Sequence, residues 1–600
     1  MPDTNATDTG SERARLISLG LIAVLIATVV WRLTVYVPVF HDMVVHRLDA
    51  KPADGPLRLV SAKLLKAPLA HDDTNYIPFA DVLKFVDGTN WLSGKDHLAN
   101  CVAARDLAPK AALSAPCAKY FAAEPRVELT NPSWVVAAGT RHTFTLAASH
   151  PGGIAINRIE IVDVRSGQTV HALSVPSMTV RYENCRAFFG PGCDFKQSLA
   201  VDIATNAPTG AYHIRLLHTL VDGTTSERGG VRFFVQTFGD QARSADAVVV
   251  IPDWTGNAYN RHGGGSLYGV NDDTFTLAPL ATVNKLGRIS LARPDSSSKL
   301  HSPAIHQAAV TMMQNAGLDV VVCGMRQLHN GTCKLLPSVP VVLIGHNEYV
   351  SLESWRQLEQ LVDRGGVLIN FSGNLAWWKT RYSDGELFVF KGKRSKRPKE
   401  GNWRDTGLFV RRLGNRHKDV PPFTPSRLVG VSYRVAGYPV NRIQRDLELS
   451  SPLIAGLMQC DHPIFAAIPA RRGEHFLRER GVLSGGVEID GVLIDNNVNI
   501  TAEHYMPPGS RIRILATSFA QRSNKKPPVE MGFVTEYQRG GTQHGRVISL
   551  GSAGAVFQMA RSDSELAQIL LSTIDYASAL ITAPKDTWPE LEGCIWQTVE

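Results

Sequence analysis

A histidine and a glutamate two residues apart, His346 and Glu348, stand directly after an apolar run, Val341 to Ile344. In an extended chain they project to one side, with Asn347 and Tyr349 on the other. An imidazole and a carboxylate sharing a crevice can act as a proton-transfer pair or as part of a metal shell. A second cluster lies upstream: Trp254, Asn257, Tyr259, Asn260, His262 and Tyr268 crowd around Gly263-Gly264-Gly265. Consecutive glycines imply a sharply turning backbone or a close approach. No Lys-Ser/Thr follows them and the Rossmann glycine spacing is missing, so they do not read as a phosphate loop. Each cluster alone is equally well explained as a polar loop facing water; together they favour chemistry.

The elements that must position these residues are legible around them. Val341 to Ile344 has the length of a strand buried on both faces. Ser351 is a plausible N-cap, and Leu352, Trp355, Leu358 and Leu361/Val362 recur at helical spacing until Gly365-Gly366. Val367 to Phe371 reads as a second strand, and Ser372-Gly373-Asn374 as the next turn. The result is a βαβ unit with polar residues past the carboxyl ends of two strands, where open α/β sheets put their ligands. Upstream, Ala247 to Ile251 is a further strand, and a helix around Pro303 to Ala316 precedes a strand from Asp319 to Cys323.

Taken in order, IPDWTGNAYNRHGGGSLYG, then Ala292-Arg293-Pro294, then IGHNEYVS and FSGN, the chain resembles the large (β) subunit of N,N-dimethylformamidase. That family typically reads TWQAYN, GG and SLY, a basic-Pro pair, GHDEYW and SGN. The resemblance runs from about Val127 to Ala579. It implies an α+β and α/β multidomain chain, with an immunoglobulin-like β-sandwich leading into an α/β domain of the glutamine-amidotransferase type. It also implies a mononuclear iron held by two tyrosinates and a glutamate, with no organic cofactor. Carried over by motif, the metal ligands are Glu348, Tyr259 and Tyr212, the last in Pro-Thr-Gly-Ala-Tyr with Tyr268 in reserve; His346 and Asn374 match the polar residues beside the metal. Asn347 replaces the usual Asp and Asn257 the usual Gln. The lectin-like N-terminal region of the dimethylformamidases is missing.

Phenolates and a carboxylate are hard oxygen donors suited to ferric iron, one per chain. A metal there polarises a carbonyl and makes hydroxide available near neutral pH. Glu348 would then be ligand and catalytic group at once, His346 a proton carrier, and Asn374 a donor to a developing oxyanion. The implied reaction is hydrolysis of a small amide C–N bond. Without the resemblance, each tyrosine reads as a core or turn residue.

The rest of the chain sets the context. Residues 1–15 are polar, and 16–40 are apolar apart from Ser18, Thr28 and Arg32 in the main run, which reads as an uncleaved signal anchor. Arginines ahead of it favour a cytoplasmic tail, an inner-membrane span and a periplasmic bulk. Residues 41–122 read as a linker and a small α-rich, disulfide-clipped segment; 123–240 as the sandwich, from short alternating runs between turn signals; 241–582 as the α/β domain; and 583–600 as a tail. The eight cysteines include three close couples, Cys101 with Cys117, Cys185 with Cys193, and Cys323 with Cys333, suited to disulfides in an oxidising compartment. The pairing of Cys460 and Cys594 stays open. A net charge of +8 over 600 residues, with no nucleic-acid motif, argues against a nucleic-acid binder. The basic run Lys391 to Lys399 reads as a solvated loop, and Glu503 and His504 as loop residues or catalytic ones.

Three functions fit. The first is a membrane-anchored, metal-dependent hydrolase of a small amide, working alone, as a homo-oligomer or with a small subunit. The second is a non-catalytic envelope scaffold on the same fold. The third is a cysteine-nucleophile amidotransferase-type enzyme, disfavoured because no cysteine follows the Val341 strand.

Overall fold

The computed structural model describes residues 126–598 apart from several intervals, the longest being 182–191, 268–285, 392–400, 410–424, 440–455 and 478–487. The expected span at 16–40, the segment 41–122, Cys101, Cys117, Cys185, Tyr268, the basic run beyond Lys391, and Glu503 with His504 lie outside the described residues. Two compact units divide the chain: Met1–Glu124 with Gly269–Pro279, and Pro125–Tyr268 with Leu280–Glu600. Only the second is described below. Among the described residues no helix is long and apolar enough to cross a membrane.

The architecture is multidomain α+β, built on mixed sheets with few helices. The N-terminal sheet has eight strands, among them Arg141–Ala148, Ile154–Asp163, Gly210–Thr219 and Thr225–Gln236. Alternate residues point inward, so Phe144, Leu146, Ile156, Ile214, Leu216 and Phe233 form one core. Beyond the edge strand Thr169–Val180, Arg181 O accepts from Ala148 N at 2.8 Å, joining it to a strand that is not its neighbour in the sheet. The strand Gln197–Asp202, exposed on alternate residues, has no apolar run and gave no signal in the sequence.

The site is positioned by the parallel part of a twelve-stranded mixed sheet. Its strands are Ala247–Ile251, Val320–Gly324, Val341–Gly345, Val367–Ser372 and Arg546–Leu550. Numbered in chain order they lie 2-1-3-4-5, all parallel. The first three read as Val-, Ile- or Leu-rich runs because both faces are covered, while the last two carry buried polar residues, Asn370 and Ser549. One face packs on helices Pro303–Asn315 and Glu565–Thr582 through Ala309, Met313, Ile569 and Leu570. The helix Leu352–Asp363 crosses between the third and fourth strands, burying Trp355, Leu358, Leu361 and Val362, with Ser351 Oγ capping Ser354 N at 3.0 Å. The remaining strands of the sheet add antiparallel pairing beyond Arg546–Leu550.

A separate five-stranded sheet is built on the segment that follows Glu348. Tyr349–Ser351 pairs in parallel with Trp378–Ser383, which pairs in turn with Glu386–Phe390. Its strand Tyr349–Ser351 begins one residue after Glu348, and Leu286–Ser290 pairs with Glu386–Phe390.

Two disulfides link described residues, Cys323–Cys333 and Cys460–Cys594. The second answers the pairing left open by the sequence. Cys193 is also disulfide-bonded. Chain entropy ranks the two described bridges: closing 134 residues is worth roughly 5 kcal/mol and closing 10 residues roughly 3 kcal/mol. Cys594→Ser is therefore expected to lower the melting temperature more than Cys333→Ser in scanning calorimetry. Equal or reversed losses would show that strain or residual denatured-state structure outweighs loop length.

Candidate active site

In a 2-1-3-4-5 sheet the chain leaves the first and third strands in opposite directions, which opens a crevice at their carboxyl ends. Ala247–Ile251 and Val341–Gly345 are those strands, and the two polar clusters follow them.

After the first strand comes a seven-residue helix, Asp253–Tyr259, for which the sequence offered no helical spacing. Asp253 Oδ1 accepts from Met325 N at 2.7 Å and Trp254 N at 3.1 Å, tying its start to a neighbouring turn. Gly256 is required by packing: a Cβ there would lie 2.2 Å from the Trp134 ring and 2.7 Å from His301 O. The end of the helix is held by the fully buried Arg293. Its guanidinium donates to Asn257 O at 2.8 Å, and to Asn260 O and His262 O at 3.0 Å each, while Nε donates to Ser290 O at 2.9 Å. A cation at a helix C-terminus satisfies carbonyls that have no partner inside the helix. Tyr259 is the last helical residue, so this clamp fixes where its ring points.

After the third strand, Gly345 turns the chain with φ +75°, in a space where a Cβ would meet His306 Nε2 at 2.5 Å. Asn347 then faces away from the crevice, as the alternation predicted. Its Nδ2 donates to Ile344 O at 3.0 Å and to Ser372 Oγ at 3.2 Å. Asn257 likewise turns its Nδ2 back to Asp253 O at 3.0 Å. Both departures from the usual motif therefore do structural jobs.

The chemistry-bearing groups converge. Tyr259 Oη donates to Glu348 Oε2 at 2.8 Å. His346 Nε2 stands 2.8 Å from Glu488 Oε2 and 3.7 Å from Glu348 Oε2. Asn374 Nδ2 donates to Glu488 Oε2 at 2.9 Å, and the Asn374 and Leu375 amides donate to the two oxygens of Asp490 at 2.7 and 3.1 Å. His301 Nε2 lies 3.0 Å from His346 Nδ1. Lys391 Nζ donates to Tyr349 Oη at 2.6 Å.

Burial disfavours every charge here, and the neighbours decide which charges survive. For His346 burial works against the imidazolium, but Glu488, Glu348 and Asp490 outweigh it and its pKa ends above the ordinary value. The Asp490 carboxyl is pushed up to about 7 by burial, against its two backbone hydrogen bonds. Lys391 is brought down to about 7 by burial, against the pull of Glu348 and Glu488.

The structure thus brings together four of the residues singled out by sequence: Tyr259, His346, Glu348 and Asn374. It does not bring Tyr212. That ring is packed in the core of the eight-stranded sheet, stacked on Phe233, and its hydroxyl donates to Pro208 O at 2.8 Å. Its hydroxyl is thus committed to a backbone carbonyl within the eight-stranded sheet. The match of Tyr212 to a metal-binding tyrosine is corrected on this ground. Leu267 N donates to Ala258 O at 3.0 Å, which returns the chain beside Tyr259 just before the reserve residue Tyr268.

Sequence reasoning missed Glu488, Asp490 and His301, and its reading of Lys391 as the start of a solvated loop is corrected by the bond of Lys391 Nζ to Tyr349 Oη. Glu488 and Asp490 share the alternation seen in His346 and Glu348, between Gly486 and Gly491. That spacing was the one local signal available. Gly373 makes the meeting possible, because a Cβ there would lie 2.2 Å from Glu488 O.

Beside the site, Glu128 Oε2 lies 3.5 Å from His262 Nε2. Burial pushes the Glu128 carboxyl up to about 7 against the pull of Arg126, and drives His262 down to about 3 with the help of Arg293 and Arg126. Below pH 7 the contact therefore joins two neutral groups. The folded pKa of Glu128 exceeds its unfolded value of 4.5. Its contribution to stability is therefore complete below pH 4.5 and lost as pH rises through 7, on the order of 3 kcal/mol in all. Glu128→Gln is expected to reduce the fall in stability between pH 5 and 8, measured by denaturant unfolding. An unchanged slope would mean that the carboxyl is ionised throughout.

Among the described residues no group of three or more His, Cys, Asp and Glu side chains is arranged to hold a metal ion. The donors that do meet are a phenol and a carboxylate, 2.8 Å apart and sharing one proton. A hard cation replacing that proton would find two anionic oxygens already together. The donor set fits ferric iron in two of the three carried-over positions.

No curated protein matches the chain. Among solved structures, an alkylpurine DNA glycosylase of Pseudomonas fluorescens bound to DNA shares 15% identity over 24% of this chain, with a TM-score of 0.12. The chain spans 45% of that protein, and so weak a superposition carries no inference. The family described as N,N-dimethylformamidase beta subunit-like, C-terminal, matches residues 160–563, about two thirds of the chain. That interval contains the helix bearing Tyr259, the turn bearing His346 and Glu348, Asn374 and Glu488. The chain belongs to the N,N-dimethylformamidase beta subunit-like family.

Proposed function

We propose that this protein hydrolyses the C–N bond of a small amide, with Tyr259 and Glu348 holding one ferric ion per chain and His346 moving the proton. What carries the reading is the meeting of Tyr259, Glu348, His346 and Asn374 in one buried cluster, in a chain whose family is named for its likeness to a subunit of an amide hydrolase. A ferric ion held there would supply Lewis acidity toward the carbonyl oxygen and a water acidified toward hydroxide. His346 Nε2, between two carboxylates, takes the proton from the attacking water and returns it to the nitrogen as the C–N bond breaks. Glu488 holds the imidazolium that forms, and Asn374 holds Glu488. Tyr268 is the next candidate for a second phenolate. No organic cofactor enters this scheme.

The finer fold assignments belong to the same proposal. The Tyr212–Pro208 contact is that of a tyrosine corner, in which a hydroxyl bonds backward to the chain a few residues upstream. It supports an immunoglobulin-like reading of the eight-stranded sheet. The 2-1-3-4-5 order supports the amidotransferase-type reading of the α/β part. Disulfides at Cys323–Cys333 and Cys460–Cys594 support an oxidising, extracytoplasmic location, with residues 16–40 as the anchor. A small subunit or a homo-oligomer fits a family named for one subunit of an enzyme.

The position of Tyr212 favours a second reading, a binding homologue without catalysis, because one carried-over ligand is elsewhere. The two separate in one assay: the purified full chain, loaded with ferric iron, is incubated with formamide, N,N-dimethylformamide and acetamide, and release of ammonia or dimethylamine is followed. Release that disappears in Glu348→Gln supports the hydrolase. Iron uptake with no release from any amide leaves the binding reading in its place.

A further inference from the structure

We propose that His301 is a positioning residue of this site, holding Tyr259 and His346 through two separable contacts. The inference rests on the reading that those two residues work together, and goes beyond it by naming what aligns them. The imidazole of His301 lies on the Tyr259 ring with centroids 3.8 Å apart and planes within 8°. Its Nε2 is 3.0 Å from His346 Nδ1. One side chain therefore touches both groups from behind, while Tyr259 Oη reaches Glu348 and His346 Nε2 reaches Glu488 on the far side.

His301 has little freedom to be elsewhere. It ends the short 3-10 turn Lys299–His301, and Ser302 starts the helix Pro303–Asn315. Its carbonyl is pressed against Gly256, where a Cβ would come within 2.7 Å. Gly256 and Tyr259 are three apart on one helix and share a face. Backbone and ring of His301 thus lie along the same face of the helix that carries the phenol. Only a glycine at 256 allows that approach.

Each contact has its own consequence. The stack leaves Tyr259 one ring orientation, so its hydroxyl meets Glu348 without a search. The contact at Nδ1 fixes the plane of His346 and which nitrogen faces the carboxylates. A ring nitrogen's behaviour is set in this way by the bond that the other nitrogen makes.

Two substitutions separate the roles. His301→Phe keeps a ring on Tyr259 and removes the bond to His346. His301→Gln places an amide near the Nε2 position and removes the stack. The full chain carries 3-fluorotyrosine at 259 and nitrogen-15 in histidine, and is studied by NMR without metal. In His301→Gln the fluorine resonance is expected to shift and broaden while the His346 Nδ1 signal holds. In His301→Phe the reverse is expected. Amide hydrolysis by the iron-loaded chain should fall about 10–100-fold in either variant.

The spectra do not depend on activity. If no amide is hydrolysed by wild type but the spectra separate as stated, the hydrolase reading fails and the positioning role stands. If both variants disturb both signals alike, or neither signal, the role is refuted. Should one variant fail to fold, the other still decides its own half.

Discussion

His346→Gln is expected to lower amide hydrolysis by roughly 10²–10⁴-fold, the usual weight of a general acid–base group. The imidazole stands 2.8 Å from Glu488 and 3.7 Å from Glu348. Its pKa lies above the ordinary value because those carboxylates outweigh burial. A base must be neutral to accept a proton, so the wild-type rate should climb with pH through that raised pKa. Glu488→Gln removes the largest of the favourable charges and leaves burial in command, so the acid limb should move to lower pH. An acid limb that stays in place in Glu488→Gln would assign it to another group.

The second large effect concerns stability. Glu536→Leu is expected to destabilise the fold by about 3–5 kcal/mol, the cost of leaving a buried charge without its partner. Glu536 is fully buried, with Arg513 Nε donating to Oε2 at 2.6 Å, His462 Nε2 at 3.3 Å and Arg546 Nη1 3.8 Å from Oε1. Burial opposes its ionisation, but the bond from His462 and the charge of Arg513 win, and its pKa is lowered. His462 is itself pushed down by burial and so is neutral. Ile464 N donates to its Nδ1 at 3.3 Å, which puts the proton on Nε2, facing Glu536. A lowered carboxylate contributes above its unfolded value of 4.5, and the contribution is lost as pH falls. Chemical denaturation at pH 7 and pH 3 should show a large loss in Glu536→Leu at the higher pH and a smaller one at the lower. Equal losses would mean the cluster acts through packing rather than charge.

The parts of this site that were legible share one property: they are local. The Val341 strand, the Ser351 cap, the helix Leu352–Asp363 and the opposed directions of His346 and Asn347 all follow from spacing within a few residues. The helix Asp253–Tyr259 was not legible. It is short, begins after Pro252, contains Gly256 and has no apolar period. Trp134 and Arg293, both distant in sequence, stabilise it. His301 was missed for the same reason, since it reaches the crevice from a short turn with no periodic signal, and Glu488 because its alternation with Asp490 was the one local signal it offered. Tyr212 misled because a Gly-x-Tyr strand end serves a tyrosine corner as well as a ligand.

The central claim is that Tyr259 and Glu348 hold a metal. The most direct test is iron analysis with a visible spectrum on the purified full-length chain, beside Tyr259→Phe and Tyr268→Phe. The account predicts one iron per chain and a tyrosinate-to-iron charge-transfer band that is lost in Tyr259→Phe. A colourless chain that takes up no iron on reconstitution, or a band untouched by Tyr259→Phe, would contradict it.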